Sequence, residues 1–202
     1  MIGGYTLKLK LEEIGKLSHG MTLARIQAKP GEVTKELELF TMQALNKEIE
    51  NYKIEVESHT IAVSRQRLNQ LNLSYPGMVL FGLTSRKSFV INEEYEGRVI
   101  PSNFAFLECD ETLVNPYYLV WYFNESPEIK KQLRVISQGS IIGAISVQML
   151  RDLKIEIPNI KTQVQLGSVY QLIQKKKKLE FEKRELEELL MNQVMISCLK
   201  GE

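Results

Sequence analysis

The chain has 202 residues, 44% hydrophobic and 25% charged, which fits one globular domain, or one domain with an extension, and excludes wholesale disorder. Its 26 basic and 25 acidic residues leave a formal net charge of +1, which excludes a protein that coats DNA by charge alone. Contact with nucleic acid then requires local patches or a partner.

No apolar run reaches the roughly 20 residues that cross a bilayer, and the opening Met1-Ile2-Gly3-Gly4-Tyr5 lacks the basic flank and apolar core of a secretion signal. No membrane partner is expected. Cys109 and Cys198 lie far apart in sequence, too sparse for a disulfide framework or a metal pair, so a cytoplasmic location fits.

In chain order, Leu11-Glu12-Glu13-Ile14 closed by Gly15 predicts a short helix. Pro76-Gly77 sets a turn. Apolar runs of strand length follow at 78–81, 88–91 and 104–107. From Asn115 the pattern becomes helical: Asn115 is an N-cap with Pro116 at the first helical position, and Tyr118, Leu119 and Tyr122 recur at helical spacing. Ser126-Pro127-Glu128 opens a second helix with Ile129, Leu133 and Ile136 on one side. A glycine-containing loop, Ser137-Gln138-Gly139-Ser140, is followed by a short helix over 146–152 and a strand over 153–157 stopped by Pro158.

From about Lys161 to Leu199 the sequence supports one helix, roughly 58 Å long at 1.5 Å per residue. Leu172, Leu179 and Leu186 repeat every seven residues, and Val169, Ile173, Leu189, Leu190, Val194 and Ile196 widen the stripe. Sevenfold spacing argues for packing along another helix, with Lys176 and Lys183 interrupting one flank. The competing reading is a terminal helix lying on its own domain.

Catalytic motifs fail on inspection. Asn115-Pro116-Tyr117-Tyr118 lacks the second proline of the amino-methyltransferase signature, and no Gly-rich turn follows a strand. Asp110 with Glu128-Ile129-Lys130 matches a nuclease pattern loosely, but Glu128 and Lys130 begin a helix instead of converging on a metal. Gly77 and Gly82 have the spacing of a phosphate loop without its lysine. His19 and His59 have no cysteine nearby. No catalytic residue, metal site or cofactor is expected, and the chain is read as a non-enzyme.

Binding chemistry fares better. Ser85, Arg86 and Lys87 form a basic turn between two predicted strands. Arg65 and Arg67 flank Gln66, Ser102 and Asn103 follow Pro101, and Gln138, Gly139 and Ser140 sit in a polar loop. Arg, Asn, Gln and Ser are the side chains that read base edges and grip phosphates, although surface loops are polar in any case. The run Lys175-Lys176-Lys177-Lys178 reads as a solvated helix face or as a strip against a phosphate backbone.

The order of these features resembles one half of a specificity subunit of type I restriction–modification systems. Leu11-Glu12-Glu13-Ile14-Gly15 followed by Gly20 resembles the opening of a target recognition domain. Tyr75-Pro76-Gly77-Met78-Val79-Leu80-Phe81 resembles its strand entry, with Met78 where an acid is usual. Asn115-Pro116-Tyr117-Tyr118-Leu119 resembles its Pro-x-Tyr-Leu helix. The closing run is the most specific: Gly139, Ile145-Ser146, Leu150, Leu153-Lys154-Ile155-Glu156-Ile157-Pro158 and Gln163 follow the family's order.

The resemblance implies a mixed α/β (α+β) target recognition domain over 1–160 and a long coiled-coil spacer helix over 161–202. It implies a non-catalytic subunit that recognises one half of a bipartite double-stranded DNA target. Such a subunit recruits methyltransferase subunits, which use S-adenosylmethionine, and restriction subunits, which use ATP. The family carries two units in tandem, whereas this sequence has one, which leaves a natural half-subunit, a fragment or one of a split pair; in the first case a homodimer through Leu172, Leu179, Leu186 and Leu190 would supply the second unit. The alternative from another class is an assembly module that uses its helix and never reads DNA.

Overall fold

The computed structural model describes residues 7–49, 52–53, 55–137 and 144–200. The strand-length apolar runs become the middle of a four-stranded antiparallel sheet. It is built from β2 (Gly15–His19), β5 (Val79–Gly82), β6 (Ser88–Val90) and β7 (Phe104–Cys109) in the order β2-β7-β5-β6. Pairing sets Val79 against Leu107 and Phe81 against Ala105 on one side of β5, and Val79 against Val90 on the other.

Both faces of this sheet are covered, which explains why its central strands read as unbroken apolar runs. Successive side chains point to opposite faces. Val79, Phe81, Ala105 and Leu107 enter one core, while Met78, Leu80, Phe104 and Phe106 enter another. The second core is closed by Phe40 and by Ala44 and Leu45 of α2 (Met42–Ile49). The first core is larger. It gathers Tyr118, Leu119, Tyr122 and Phe123 of α3 (Pro116–Glu125), Ile129 and Leu133 of α4 (Pro127–Ser137), and Leu150 of α5 (Val147–Arg151).

Two peripheral pairs complete the domain. β1 (Leu7–Lys10) pairs antiparallel with β8 (Lys154–Ile157), Leu7 opposite Ile157, so the chain's start ties down the strand that precedes the last helix. β3 (Thr34–Glu38) pairs with β4 (Thr60–Ser64) over a small core of Ile26, Ile61, Val63 and Val99 beside the four-residue α1 (Leu23–Ile26).

Local chemistry places the helices as expected. The Asn115 side-chain oxygen accepts the backbone N–H groups of Tyr117 and Tyr118 at 3.1 and 3.0 Å, capping α3. Ser146 caps α5 through Met149 N–H at 3.1 Å. The structure differs near the start. Leu11–Glu13 makes only a 3-10 turn, and Gly15 opens β2 instead of ending a helix. Gly15 faces Cys109 in the β7 ladder, and ladder hydrogen bonds outweigh the continuation of a helix three residues long.

The last element, α6 (Ile160–Lys200), is a single helix of 41 residues, about 60 Å long. Its first turns belong to the domain: Gln163, Gly167 and Tyr170 are buried against α3. Beyond them Leu172 is 66% exposed, Leu186 67% and Leu199 88%. Among the described residues no helix is long and apolar enough to cross a membrane.

Candidate nucleic-acid interface

Two of the polar stretches singled out in the sequence are brought together at one end of the central sheet. Leu83, just past β5, is the hub: its N–H donates to the Asn103 carbonyl at 3.0 Å, and its carbonyl accepts the Ile145 N–H at 2.9 Å. The Ser85-Arg86-Lys87 turn, the Ser102-Asn103 turn and the incoming end of the α4–α5 connection therefore converge. His19, ending β2, adds a ring nitrogen 2.7 Å from the Ser102 carbonyl oxygen. Gln138, Gly139 and Ser140 lie outside the described residues.

The β5–β6 turn is tightly made. Gly82 N–H donates to the Lys87 carbonyl at 2.9 Å, and Arg86 N–H donates back to the Gly82 carbonyl at 2.9 Å. The Ser85 hydroxyl accepts the Lys87 N–H at 3.4 Å. Arg86 takes φ = 56° and is, among the described residues, the one non-glycine with positive φ. A left-handed conformation costs an L-residue roughly 1–2 kcal/mol, which glycine would avoid. An arginine kept there at a cost to the fold points to work done by its side chain.

The other arginines separate. Arg65 begins the 3-10 segment Arg65–Gln70 and is exposed. The Arg67 guanidinium is engaged within the fold: it donates to the Arg25 and Gln27 carbonyls at 3.3 Å each and pairs with Glu32 at 3.1 Å. It braces the end of α1 against the β3–β4 pair.

A second structural element was not singled out in the sequence. β6 is an edge strand, and the outward N–H and C=O of Ser88 are both held by the Asn124 side-chain amide, at 2.8 and 2.9 Å. The same amide donates to the Tyr170 hydroxyl of α6 at 3.2 Å. One buried asparagine thus joins the strand that enters Ser88, the helix α3 and the long helix. Its only sequence signal was a polar residue inside the aromatic run of α3.

On α6, Leu172, Leu179, Leu186 and Leu190 are all exposed, and they point away from the domain. Gly167 and Gln174, on the domain-facing row, lie about 140° around the helix from Leu172 and Leu179 respectively. The lysine run is partly engaged along the helix, Lys176 with Glu180 at 3.5 Å, and Lys183 pairs with Glu187 at 3.5 Å. The residues of the nuclease pattern serve local structure: Asp110 accepts the N–H and hydroxyl of Thr112 at 3.0 and 2.6 Å, and Glu128 lies 3.6 Å from the Lys8 ammonium.

No family model matches the chain, and no curated protein matches it in sequence. The fold does match. Mixed strands and helices ending in one long helix are the architecture of type I restriction–modification specificity subunits.

The crystal structure of the HsdS subunit from Thermoanaerobacter tengcongensis superposes with a TM-score of 0.60 at 14% identity, covering 96% of this chain and 49% of that one. A chain from a structural study of complex assembly and conformational transition in the type I R-M system gives a TM-score of 0.59 at 14% identity, with the same coverages of 96% and 49%. The type I S subunit from M. genitalium gives 0.61 at 11% identity, covering 96% of this chain and 45% of that one. The chain spans about half the length of the subunits it matches.

Proposed function

We propose that this chain is the DNA-reading and spacing component of a type I restriction–modification assembly. It recognises one half of a bipartite double-stranded target and performs no chemistry of its own. The observation that carries the reading is the likeness over 96% of the chain to one half of specificity-subunit structures, a span that takes in both the mixed domain and its long helix.

The residues proposed to meet DNA are Ser85, Arg86, Lys87, Ser102 and Asn103 at the sheet end, with Arg65 beside the β3–β4 pair and Gln138, Gly139 and Ser140 on the adjoining connection. Arg67 supports Arg65's segment from behind. The near-neutral net charge fits a protein whose phosphate clamp comes in large part from partner subunits.

The α6 stripe of Leu172, Leu179, Leu186 and Leu190 is proposed to pair antiparallel with a second copy. Past Glu188 the helix is apolar on several sides at once, with Leu189, Met191, Val194, Met195 and Leu199 all exposed. One partner helix cannot cover all of them, which supports seating of a methyltransferase subunit, and through it a restriction subunit, at this end. The setting is the cytoplasm.

The test is selection from random-sequence DNA with the purified chain, followed by methylation mapping with its co-expressed methyltransferase. A recurrent half-site whose binding weakens with salt is expected. Binding that is absent, or equal on all sequences, would leave the assembly-module reading in its place.

A further inference from the structure

α6 is held to its own domain at two places. The first is the seat on α3, where Gln163, Gly167 and Tyr170 are buried and the Tyr170 hydroxyl accepts from Asn124. The second lies beyond α3 and comes from the connection between α2 and β4. The Tyr52 ring meets the Phe181 ring at 5.7 Å between centroids. The Lys53 ammonium lies 5.8 Å from that ring's centre and pairs with Glu185 at 2.7 Å. Arg184 lies 6.0 Å from the same ring.

The sequence register makes this attachment deliberate in geometry. Gly167, Gln174 and Phe181 follow one another every seven residues on the row that faces the domain. The leucine stripe occupies the far side and stays open for pairing.

Lever arithmetic shows what the second attachment does. Gripped only between Gln163 and Tyr170, a baseline of about 10 Å, the helix projects about 45 Å further to Lys200. A play of 1 Å at the seat then becomes about 4 Å at the tip. Gripped from Gln163 to Glu185, the baseline is about 33 Å and the overhang about 22 Å, so the same play becomes about 0.7 Å. One base-pair step of DNA is about 3.4 Å. Two unlatched helices together would blur the separation of their domains by more than one step, and two latched helices would not.

We propose that Tyr52 and Lys53 are positioning residues. Clamping Phe181 and Glu185, they fix the exit angle of the long helix and set how sharply the assembly discriminates the gap between half-sites. This rests on the bipartite reading above.

The test uses the full chain with Tyr52→Ala and Lys53→Ala combined. A Lys53→Glu variant and its charge-swapped partner Lys53→Glu/Glu185→Lys serve as loss and rescue. The distance between spin labels at Cys198 and at Glu96→Cys, in a Cys109→Ser background diluted with unlabelled chain, reports the helix angle without DNA. Selection from random DNA reports the gap.

The double variant is expected to keep its thermal midpoint and its half-site bases. Its distance distribution should broaden, and targets one base pair off the preferred gap should gain about tenfold relative to the preferred one, because the DNA no longer has to deform to reach both domains. The charge swap should recover both properties. An unchanged distance distribution overturns the latch. A broadened distribution with unchanged gap selectivity overturns its role in spacing. A parent chain with no gap preference overturns the bipartite reading and the spacing role with it, while the label distances still report whether the latch orients the helix.

Discussion

Gln163 in the first turn of α6 holds Asn115 at the start of α3: its side-chain oxygen accepts the Asn115 backbone N–H at 2.9 Å. Its amide nitrogen donates to the Leu113 and Pro158 carbonyls at 3.0 and 2.8 Å. Asn115 in turn caps α3. A buried glutamine thus satisfies three backbone groups at the point where the mixed domain becomes the long helix.

Replacing Gln163 by alanine strands those groups away from water. An unpaired buried group costs about 1–3 kcal/mol, and some hydration will follow the cavity, so Gln163→Ala is expected to lower unfolding stability by about 2–4 kcal/mol. Denaturant unfolding measures this. A loss below about 0.5 kcal/mol would mean that α6 docks without the amide.

Gly167 is where the helices come closest. A Cβ there would lie 2.7 Å from the Asn115 side-chain oxygen and 3.0 Å from the Tyr118 backbone nitrogen. Glycine to alanine in a helix interior ordinarily gains about 1 kcal/mol. Here the clash is with a cap and a backbone that cannot move independently, so Gly167→Ala should instead lose about 1–2 kcal/mol, and Gly167→Val more than 3. A stabilised Gly167→Ala chain would show that α3 can back away freely.

Alkaline pH should unfold the domain early. Burial, followed by the charge of Glu111, pushes the Cys109 thiol from its ordinary 9.0 up to about 12. Burial also raises the hydroxyls of Tyr95, with Glu48 adding, and of Tyr118, with Tyr122 adding. All three groups are neutral in the native state and ionise more readily once unfolded. Their contribution is complete below pH 9 and is lost as pH rises from there toward 12. Thermal midpoints should be flat from pH 7 to about 9 and fall above it, by roughly 2–4 °C for each kcal/mol lost. Cys109→Ala should delay the onset. A midpoint level through pH 11 would contradict the burial of these groups.

The arginines should divide by role. Arg86→Gly relieves the left-handed backbone strain but also removes the side chain's own interaction, so the two offset and any change in stability is expected to stay within about 1 kcal/mol, while DNA affinity falls by about 1–3 kcal/mol if the side chain reads a base. Arg67→Ala should do the reverse, costing stability through its lost bonds to Glu32, Arg25 and Gln27 while leaving half-site bases unchanged. Equal DNA affinity for Arg86→Gly and the parent chain would remove that turn from the interface.

The elements legible in the sequence were those with strong local chemistry. The Asn115-Pro116 and Ser126-Pro127 starts lie within a residue of the helices they predict, and the apolar runs at 78–81, 88–91 and 104–107 sit in β5, β6 and β7. β1, β2, β3, β4, α1 and α2 were not foreseen. They carry at most two buried apolar residues each, such as Leu17 in β2 and Ile61 and Val63 in β4, and none in β1 or β3, so their identity comes from partners distant in the chain. For the same reason Asn124 and Gln163 could not be recognised as organising residues. Their partners, Ser88 and Tyr170 for one, Leu113 and Pro158 for the other, lie up to 50 residues away.

Leu172, Leu179, Leu186 and Leu190 are each more than half exposed in the single chain. Covering the exposed part of four leucines from each of two copies yields about 7–14 kcal/mol gross. With the association cost subtracted, the net of about 8 kcal/mol for a micromolar dimer also needs neighbouring apolar residues such as Val169, Ile173 and Leu189, which are exposed as well. An antiparallel pair buries Leu179 and Leu186 near its centre. Aspartates there would be desolvated without a cation, so Leu179→Asp/Leu186→Asp should be monomeric by light scattering while keeping the domain's thermal midpoint. A dimer related by a twofold axis presents two identical recognition domains, and such symmetry demands an inverted repeat interrupted by a gap. Removing seven residues between Lys175 and Glu188 keeps the helix faces nearly in phase and shortens the helix by about 10 Å, or about three base-pair steps. Every such deletion also removes Phe181 or Glu185, so the preferred gap should shrink and be selected less sharply, while the half-site bases stay. A monomeric parent chain with an asymmetric target would mean that a different recognition domain supplies the second helix. A contiguous target would remove the spacing role of α6.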